Sequence, residues 1–223
     1  MLRIALLYSL LACSLVAHAE EQTYNRVDFQ VEASREVAND LLTANLSADI
    51  QDKQPAQVAR QLNTVLNDAL SKAAAFHGVK TSSGNQNTYP VYGKNNQISA
   101  WRGRGQIHLE SRDFKATGEL IMQLQNELQV SGLQFSVSPD TRSQIENSLI
   151  GEAIAAFQTR ADAIRKAMGA KSCKTVHLSI NSMPSNRPVA MMRSASLDAI
   201  PAPEFSGGES RMTVQINGTI ELQ

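Results

Sequence analysis

Apolar residues recur every three or four positions between Ser143 and Met168, which is the spacing of one face of an α-helix. Ser143 and Glu146 match a capping box, in which each side chain binds the backbone N–H of the other residue. Gly169 follows, and glycine commonly ends helices. The pattern predicts a helix of about 27 residues, roughly 40 Å long. Because most strands are shorter, we expect its ends to extend beyond the sheet on which it packs or to contact something else.

Strict alternation of apolar and polar residues predicts strands with one buried face. The runs at 27–33 and 42–50 are predicted to pair as antiparallel neighbours. The remaining predicted strands lie at 89–91, 98–109, 133–137, 176–180 and 212–222.

Two shorter helices are predicted from their ends. Pro55 opens the first, because a proline at the first helical position loses no hydrogen bond. Gly78 is expected to end it. Asp113 is a candidate N-cap of the second helix, and Gly132 is expected to stop it.

Gly103 and Gly105 lie two positions apart in the predicted strand at 98–109, so they share one face. Two glycines on one face leave room for a bulky neighbour, such as a packed helix or an aromatic ring. Trp101 is expected on the other face of this strand.

Residues 182–209 differ from the rest of the chain. They hold four prolines and a Gly207-Gly208 pair and show no periodicity, which predicts a protruding loop. The complete order is β-β-α-β-β-α-β-α-β-β. It predicts an α+β fold, with a mainly antiparallel sheet and helices packed on one face. A chain of 223 residues suits one domain or two small intertwined halves.

The first 19 residues have the three parts of a secretory signal peptide: a positive start, an apolar run at 4–16 and an A-x-A site at 17–19. We expect cleavage after Ala19, export to the periplasm, and a mature domain at 20–223 without a transmembrane segment. One alternative stays open, because residues 10–13 resemble a lipobox, and processing there would lipidate Cys13. The intact mass of the mature protein separates the two outcomes.

The charges balance, with Lys+Arg 21 and Asp+Glu 21. A neutral chain has no long-range field that would attract nucleic acid, so we expect no nucleic-acid partner. Gly103-Arg104-Gly105 is not a phosphate-binding loop, because it lies within a predicted strand rather than before a helix.

The sequence assigns no catalytic, cofactor-binding or metal-binding residue. His77, His108 and His177 lie on different predicted elements, whereas zinc needs three or four converging ligands. Cys173 and His177 are predicted on the same strand face about 13 Å apart, too far for a catalytic pair.

Cleavage after Ala19 leaves Cys173 as a lone cysteine. We expect it to be a small buried side chain. A redox-sensitive thiol is the alternative, and it requires exposure and a lowered pKa.

Methionine is the other candidate metal ligand. Met183, Met191, Met192 and Met212 are soft ligands that suit copper, but their spacing is irregular. Methionine more often fills gaps in a core.

Several segments resemble the SIMPL domain, over about residues 24–223. They are E-A-I followed by A-D-A-I within 152–164 with the Gly169 stop, L-Q-F-S-V-S at 133–138, the strand–Asp–helix passage at 107–124, and the last strand at 214–222. Trp101 matches an aromatic residue that the family usually has near the start of its central strand. The resemblance implies an exported periplasmic or outer-membrane-associated protein, in a family with members linked to oxidative-stress defence, immunogenic members and ring-like homo-oligomers. It implies no catalytic residues, because none is established for the family.

These observations favour a non-enzymatic, exported, self-associating protein of the cell envelope that acts in stress protection. The alternative is a periplasmic ligand- or metal-binding module that uses the methionines at 183–192. An enzyme whose site is assembled from scattered polar residues is a third hypothesis.

Overall fold

The structure, a computed structural model, describes residues 25–185 and 205–223. These residues form seven strands and three α-helices in the predicted order, which confirms the α+β class. The elements are β1 (Arg26–Ala38), β2 (Leu41–Asp52), α1 (Pro55–Ala73), β3 (Lys80–Tyr92), β4 (Ile98–Ser111), α2 (Phe114–Leu124), β5 (Gln129–Ser136), α3 (Pro139–Ala167), β6 (Cys173–Ser185) and β7 (Glu209–Leu222).

The strands divide between two antiparallel sheets rather than one. The terminal sheet has the order β1-β7-β6, and the central sheet has the order β3-β4-β2-β5. The predicted pairing of β1 with β2 is therefore wrong. The chain turns at Asn39 and Asp40, and β1 pairs with β7, so that Arg26 lies opposite Glu221. Alternation shows which face of a strand is buried, but it does not identify the partner strand.

The terminal unit consists of β1, α3, β6 and β7. The helix α3 covers one face of the terminal sheet, and the opposite face carries polar residues. Phe157 of α3 stacks on Phe29 of β1, with ring centroids 4.5 Å apart. Gly218 of β7 makes room for this ring, because a Cβ there would lie 2.5 Å from it. The core residues of this unit include Val31, Leu149, Ala153, Phe157, Val214, Ile216 and Ile220.

The helix α3 starts earlier than predicted. It begins at Pro139 after Ser138, so Ser143 lies inside the helix and does not form the predicted capping box. Gly169 follows its end with a φ of 68°, which confirms the predicted stop. The helix is roughly 43 Å long. The strands of the terminal sheet, with 13 or 14 residues each, reach about the same length. The start of α3 contacts Asp40 and Arg112, which is the second of the two predicted alternatives.

The central unit consists of β2, α1, β3, β4, α2 and β5. Here α1 and α2 cover one face of the central sheet. A Cβ on Gly103 would lie 2.4 Å from Val58, and one on Gly105 would lie 2.7 Å from Leu66. The predicted role of the two glycines is confirmed, because they let α1 approach β4. The core residues of this unit include Leu46, Ala48, Leu62, Leu66, Ile107, Leu109, Leu120 and Leu124.

The predicted face of Trp101 is wrong. Trp101 pairs with Asp52 and Gly103 pairs with Ile50, without an irregularity between these pairs. Residues two positions apart share a face. Trp101 therefore lies on the helix-covered face, where it is half-buried.

The other predicted helix ends are confirmed in part. The helix α1 begins at Pro55, but it ends at Ala73, before Gly78. The helix α2 begins after Asp113, whose side chain accepts a hydrogen bond from the backbone N–H of Ala116 at 2.9 Å. It ends at Leu124, well before Gly132.

The predicted loop at 182–209 is shorter in the structure. The strand β6 continues to Ser185, and β7 begins at Glu209. Residues 186–204 lie outside the described residues, as does the predicted signal peptide at 1–19. Across the residues that the structure describes, no helix combines the length and apolar character that crossing a bilayer requires.

Candidate functional site

The three histidines considered as metal ligands do not converge. His77 is exposed after the end of α1, and His177 is exposed on β6. His108 lies on the polar face of the central sheet, where its Nδ1 is 2.9 Å from Oδ1 of Asn45. Among residues 25–185 and 205–223, no three His, Cys, Asp or Glu side chains are grouped so as to hold a metal ion.

Cys173 is the first residue of β6 and is half-buried against the core of the terminal unit. It lies opposite Leu222, on the helix-covered face. An irregularity between Thr175 and His177 adds one residue to β6, so that His177 lies opposite Thr219 on the polar face. The prediction that Cys173 and His177 share a face is therefore wrong.

The methionines proposed as copper ligands are only partly described. Met212 is half-buried on β7 and packs against the core of the terminal unit. The backbone of Met183 pairs with Thr213. Met191 and Met192 lie outside the described residues, so the predicted arrangement of soft ligands stays a prediction.

The arginines beside the two glycines of β4 belong to the polar face of the central sheet. Arg102 donates to Oε1 of Gln51 at 2.8 Å, and Arg104 is 3.7 Å from Asp49. Gly103-Arg104-Gly105 lies within β4, as predicted. A flat strand offers no converging backbone N–H groups for a phosphate.

A dense polar cluster, which the sequence interpretation missed, lies where the two units meet. Asp40 accepts hydrogen bonds from the backbone N–H and Oγ of Ser138, at 2.6 and 2.7 Å, and from Oγ1 of Thr141 at 2.7 Å. Arg112 donates to Ser138 and to Asp140, both at 2.9 Å. The carboxylate of Asp40 thus caps the start of α3 from a distant part of the chain.

The contacts of Asp40 set its protonation state. Partial burial acts to raise the pKa of Asp40, but the hydrogen bonds from Ser138 and Thr141 outweigh it and leave the pKa below its ordinary value of 3.8. Asp40 is therefore a carboxylate at neutral pH.

Asn39 connects the same corner to the start of β7. Its Nδ2 donates to the carbonyl of Gly207 at 2.8 Å, and its backbone N–H donates to the carbonyl of Gly208 at 3.0 Å. The Oγ of Ser210 donates to Oδ1 of Asn39 at 2.7 Å, within a buried environment. Phe205 lies beside Phe135 of the central sheet, with ring centroids 6.0 Å apart. We call Asn39, Asp40 and their partners the junction.

The other shifted pKa values are also explained by contacts that support the fold. A hydrogen bond from Lys72 lowers the pKa of Asp68, and the same bond raises the pKa of Lys72. Hydrogen bonds from Lys166 and then Arg165 lower the pKa of Asp162. Each group is an exposed member of an ion pair on a helix, an arrangement that stabilises helices without any catalytic role.

A cavity of about 170 Å³ lies between the first half of α3 and the ends of β6 and β7. Leu149, Met212 and Val214 supply apolar lining, and Arg142 and Glu146 bring charge to it. Pockets for small-molecule ligands generally have volumes of about 300–1,000 Å³, so this cavity suits only a small group.

The comparison with protein families decides the membership of this chain. The SIMPL model, which describes a protein of unknown function (DUF541), matches residues 27–220. The chain belongs to the SIMPL family. The match reaches every strand and helix, so both units fall within the same family match. A search of curated proteins found no match.

Proposed function

We propose that this SIMPL protein is an exported, non-enzymatic component of the cell envelope that associates with itself and contributes to protection against oxidative stress. Its location would be the periplasm after cleavage behind Ala19, with association to the outer membrane as a further expectation. The export part rests on the three-part pattern of residues 1–19. The stress part rests on the resemblance to exported SIMPL proteins with that role.

The observation that supports self-association is the edge strand β6. It pairs with β7 on one side, and within the described residues no strand pairs with its other side. Leu178 and Ile180 lie opposite Gly218 and Ile216, on the helix-covered face, yet 36 % and 41 % of their surfaces are exposed. An open strand edge beside exposed aliphatic side chains favours pairing with another strand.

The non-enzymatic part is supported by the titratable groups. The shifted pKa values of Asp40, Asp68, Lys72 and Asp162 are all explained by helix capping or surface ion pairs. Enzymes commonly shift such values by burial in a cleft, where general acids and bases act.

Light scattering on the processed protein tests self-association. The wild type is expected to form an oligomer, and Ile180→Lys is expected to reduce its mass, because a lysine cannot be buried against a second copy without loss of hydration. Ser179→Lys is the matched control, since Ser179 lies opposite Asn217 on the polar face of the same strand. A strictly monomeric wild type would contradict this part of the proposal.

The stress and export parts are tested separately. A strain that lacks the gene is expected to lose viability in hydrogen peroxide, and wild-type and Ser179→Lys proteins are expected to restore it. Equal survival with and without the gene would refute the stress role whatever the oligomeric state. An intact mass that still includes residues 1–19 would refute cleavage after Ala19.

A further inference from the structure

The hairpin formed by β3 and β4 extends beyond the rest of the central sheet. The strand β2 ends at Asp52, which lies opposite Trp101 of β4. The pairing of β3 with β4 continues past that point to Tyr92 and Ile98, and a short 3-10 turn at Lys94–Asn96 connects the strands. Roughly 10 Å of two-stranded ribbon therefore extends beyond β2.

We call residues 89–98 the hairpin tip: it comprises this ribbon together with Tyr89 and Pro90, which lie level with Gln51 and Asp52 at the end of β2. Exposed apolar and aromatic side chains lie on the tip. The exposed fractions are 57 % for Tyr92, 51 % for Ile98 and 41 % for Tyr89. Within the described residues, the only tyrosines are Tyr89 and Tyr92, and the only tryptophan, Trp101, lies on β4 next to the tip. Large exposed side chains clustered at a protruding end indicate an interaction surface.

The hairpin is also positively charged, although the whole chain is neutral. Residues 80–109 contain two lysines and two arginines but no aspartate or glutamate. Arg104 has Asp49 at 3.7 Å, and Lys80 has Glu110 at 4.0 Å. Among the described residues, no carboxylate lies within 4.0 Å of Lys94 or Arg102, the two cations nearest the tip.

The nearest acidic residue by register does not neutralise the tip. Asp52 lies on the helix-covered face, and its Oδ1 accepts a hydrogen bond from the backbone N–H of Gln54 at 2.9 Å, just before α1. Arg102 lies on the opposite face, where Tyr89 is its direct cross-strand neighbour. The tip therefore presents an aromatic ring and a guanidinium group side by side.

We propose that the hairpin tip is the surface through which this protein docks on an anionic lipid bilayer. A protruding ribbon fits a flat, soft partner better than a ligand that needs a concave pocket, and the described cavity lies in the other unit. Tyrosine rings are favoured at the boundary between headgroups and acyl chains. Basic residues beside that boundary are attracted to anionic headgroups. This inference rests on the membrane association in the proposed function and assigns a surface to it, but it does not depend on self-association or on the stress role.

Vesicle co-sedimentation tests the proposal with the processed protein, its N-terminus established by intact mass. The protein is expected to bind vesicles of phosphatidylcholine that contain phosphatidylglycerol and to bind pure phosphatidylcholine more weakly. Lys94→Glu is expected to weaken binding by about fivefold or more, because it reverses a charge at the anionic surface. The double variant Tyr92→Ser with Ile98→Ser is expected to weaken binding by about tenfold, because it removes the apolar contact.

Matched controls lie on the terminal unit. Met168→Ser removes an apolar side chain that is 67 % exposed, and Lys171→Glu reverses an exposed charge in the loop between α3 and β6. Both controls are expected to bind as the wild type does. Far-UV circular dichroism checks that every variant is folded.

Three outcomes would overturn the proposal. They are no binding to anionic vesicles by the folded wild type, equal binding by the tip variants, and tip variants that change only the oligomeric mass. The last outcome would make the tip a contact between copies of the chain. The fluorescence of Trp101 supplies a second readout, since its half-buried ring lies next to the tip and its emission is expected to shift to shorter wavelength on anionic vesicles.

Discussion

Both units place a helix over a sheet whose middle region carries glycine, but the side chains that occupy the space differ. In the central unit, Val58 and Leu66 of α1 lie over Gly103 and Gly105. In the terminal unit, the ring of Phe157 lies over Gly218. Aliphatic side-chain ends can rotate away from a small intrusion, whereas a stacked ring held in a core cannot. A glycine beneath a packed helix is therefore expected to tolerate an added side chain better in the central unit than in the terminal unit.

The units also differ in how completely their sheets are covered. Two helices lie on the central sheet, whereas α3 alone lies on the terminal sheet and leaves Leu178 and Ile180 partly exposed on β6. Both units leave apolar side chains exposed. In the central unit they lie at the hairpin tip and on β5, where Val130 and Leu133 are 37 % and 39 % exposed. The terminal unit leaves its own on the edge strand β6, to which the proposed self-association is assigned.

Phe157→Ala is expected to have the largest effect, a loss of about 3–5 kcal/mol of stability, because it empties the centre of the terminal core. Trp101 is the only tryptophan in the chain and lies in the central unit. The urea midpoint followed by far-UV circular dichroism is therefore expected to fall further than the midpoint followed by Trp101 fluorescence.

The matched change in the central unit is Leu62→Ala, which removes a fully buried side chain. It is expected to lower the free energy of unfolding that is followed by Trp101 fluorescence by about 2–5 kcal/mol. If the urea midpoints followed by circular dichroism and by Trp101 fluorescence shift equally in both variants, the two units unfold together. Their comparison as separate packing units then fails.

The two glycine sites are expected to differ by a smaller amount. Gly218→Ala would place a Cβ 2.5 Å from the Phe157 ring and 3.0 Å from the carbonyl oxygen of His177. Gly105→Ala would meet Leu66 at 2.7 Å and Leu62 at 3.2 Å, both at the ends of leucine side chains. Overpacking costs about 1–3 kcal/mol, and Gly218→Ala is expected at the upper end. A larger loss for Gly105→Ala in urea denaturation would reverse the proposed difference in rigidity.

Asp40→Asn tests the junction between the units and is expected to cost about 1 kcal/mol at neutral pH, as the loss of a helix cap does. The folded pKa of Asp40 is below 3.8, so its contribution is complete above the unfolded value and is lost as pH falls through the folded value. Stability of the wild type is therefore expected to fall below about pH 4.

The comparison of Asp40→Asn with the wild type isolates this group, because all other carboxylates are common to both proteins. Arg112, at 3.9 Å, and Asp140 are the charged groups that face the junction from the loop before α2 and from α3. The variant is expected to lose less stability between about pH 5 and pH 3 in urea titrations. Equal losses would show that Asp40 is not the group that titrates.

Gly151→Ala is expected to have the smallest effect, and a favourable one. Gly151 lies inside α3, and a Cβ there would meet nothing within 4 Å. Alanine in place of an interior helical glycine stabilises by about 0.5–1 kcal/mol. A thermal melt that shows destabilisation would indicate that the exposed surface of α3 contacts something at this position.

Features that depend on local backbone chemistry could be predicted from the sequence. Pro55 begins α1, Asp113 caps α2, and Gly169 adopts the positive φ that ends α3. Each depends on residues within one helical turn. The space above Gly103 was predictable for a similar reason, since the absence of a side chain on a buried strand face requires a close neighbour.

Features that depend on distant partners could not be predicted. The start of α3 was misplaced because its cap is the side chain of Asp40, 98 residues before Ser138. The pairing of β1 was wrong because alternation does not name a partner. The predicted faces of Cys173 and His177 were wrong because alternation with a period of two does not reveal the extra residue in β6. The junction was missed because its hydrogen bonds also join residues that are far apart in the sequence.

The pairing of β1 with β7 has a consequence for how the chain folds. Residues 26 and 221 form the ion pair at the end of this ladder, 195 positions apart, whereas all strands of the central unit are complete at Ser136. A chain that emerges N-terminus first can therefore complete the central unit while β1 still lacks its partner strand β7. Contacts of such long sequence separation form slowly. We expect β1 to remain an unpaired, partly apolar segment, and a binding site for chaperones, until the last strand has emerged from the ribosome or, for the proposed exported protein, from the translocation channel.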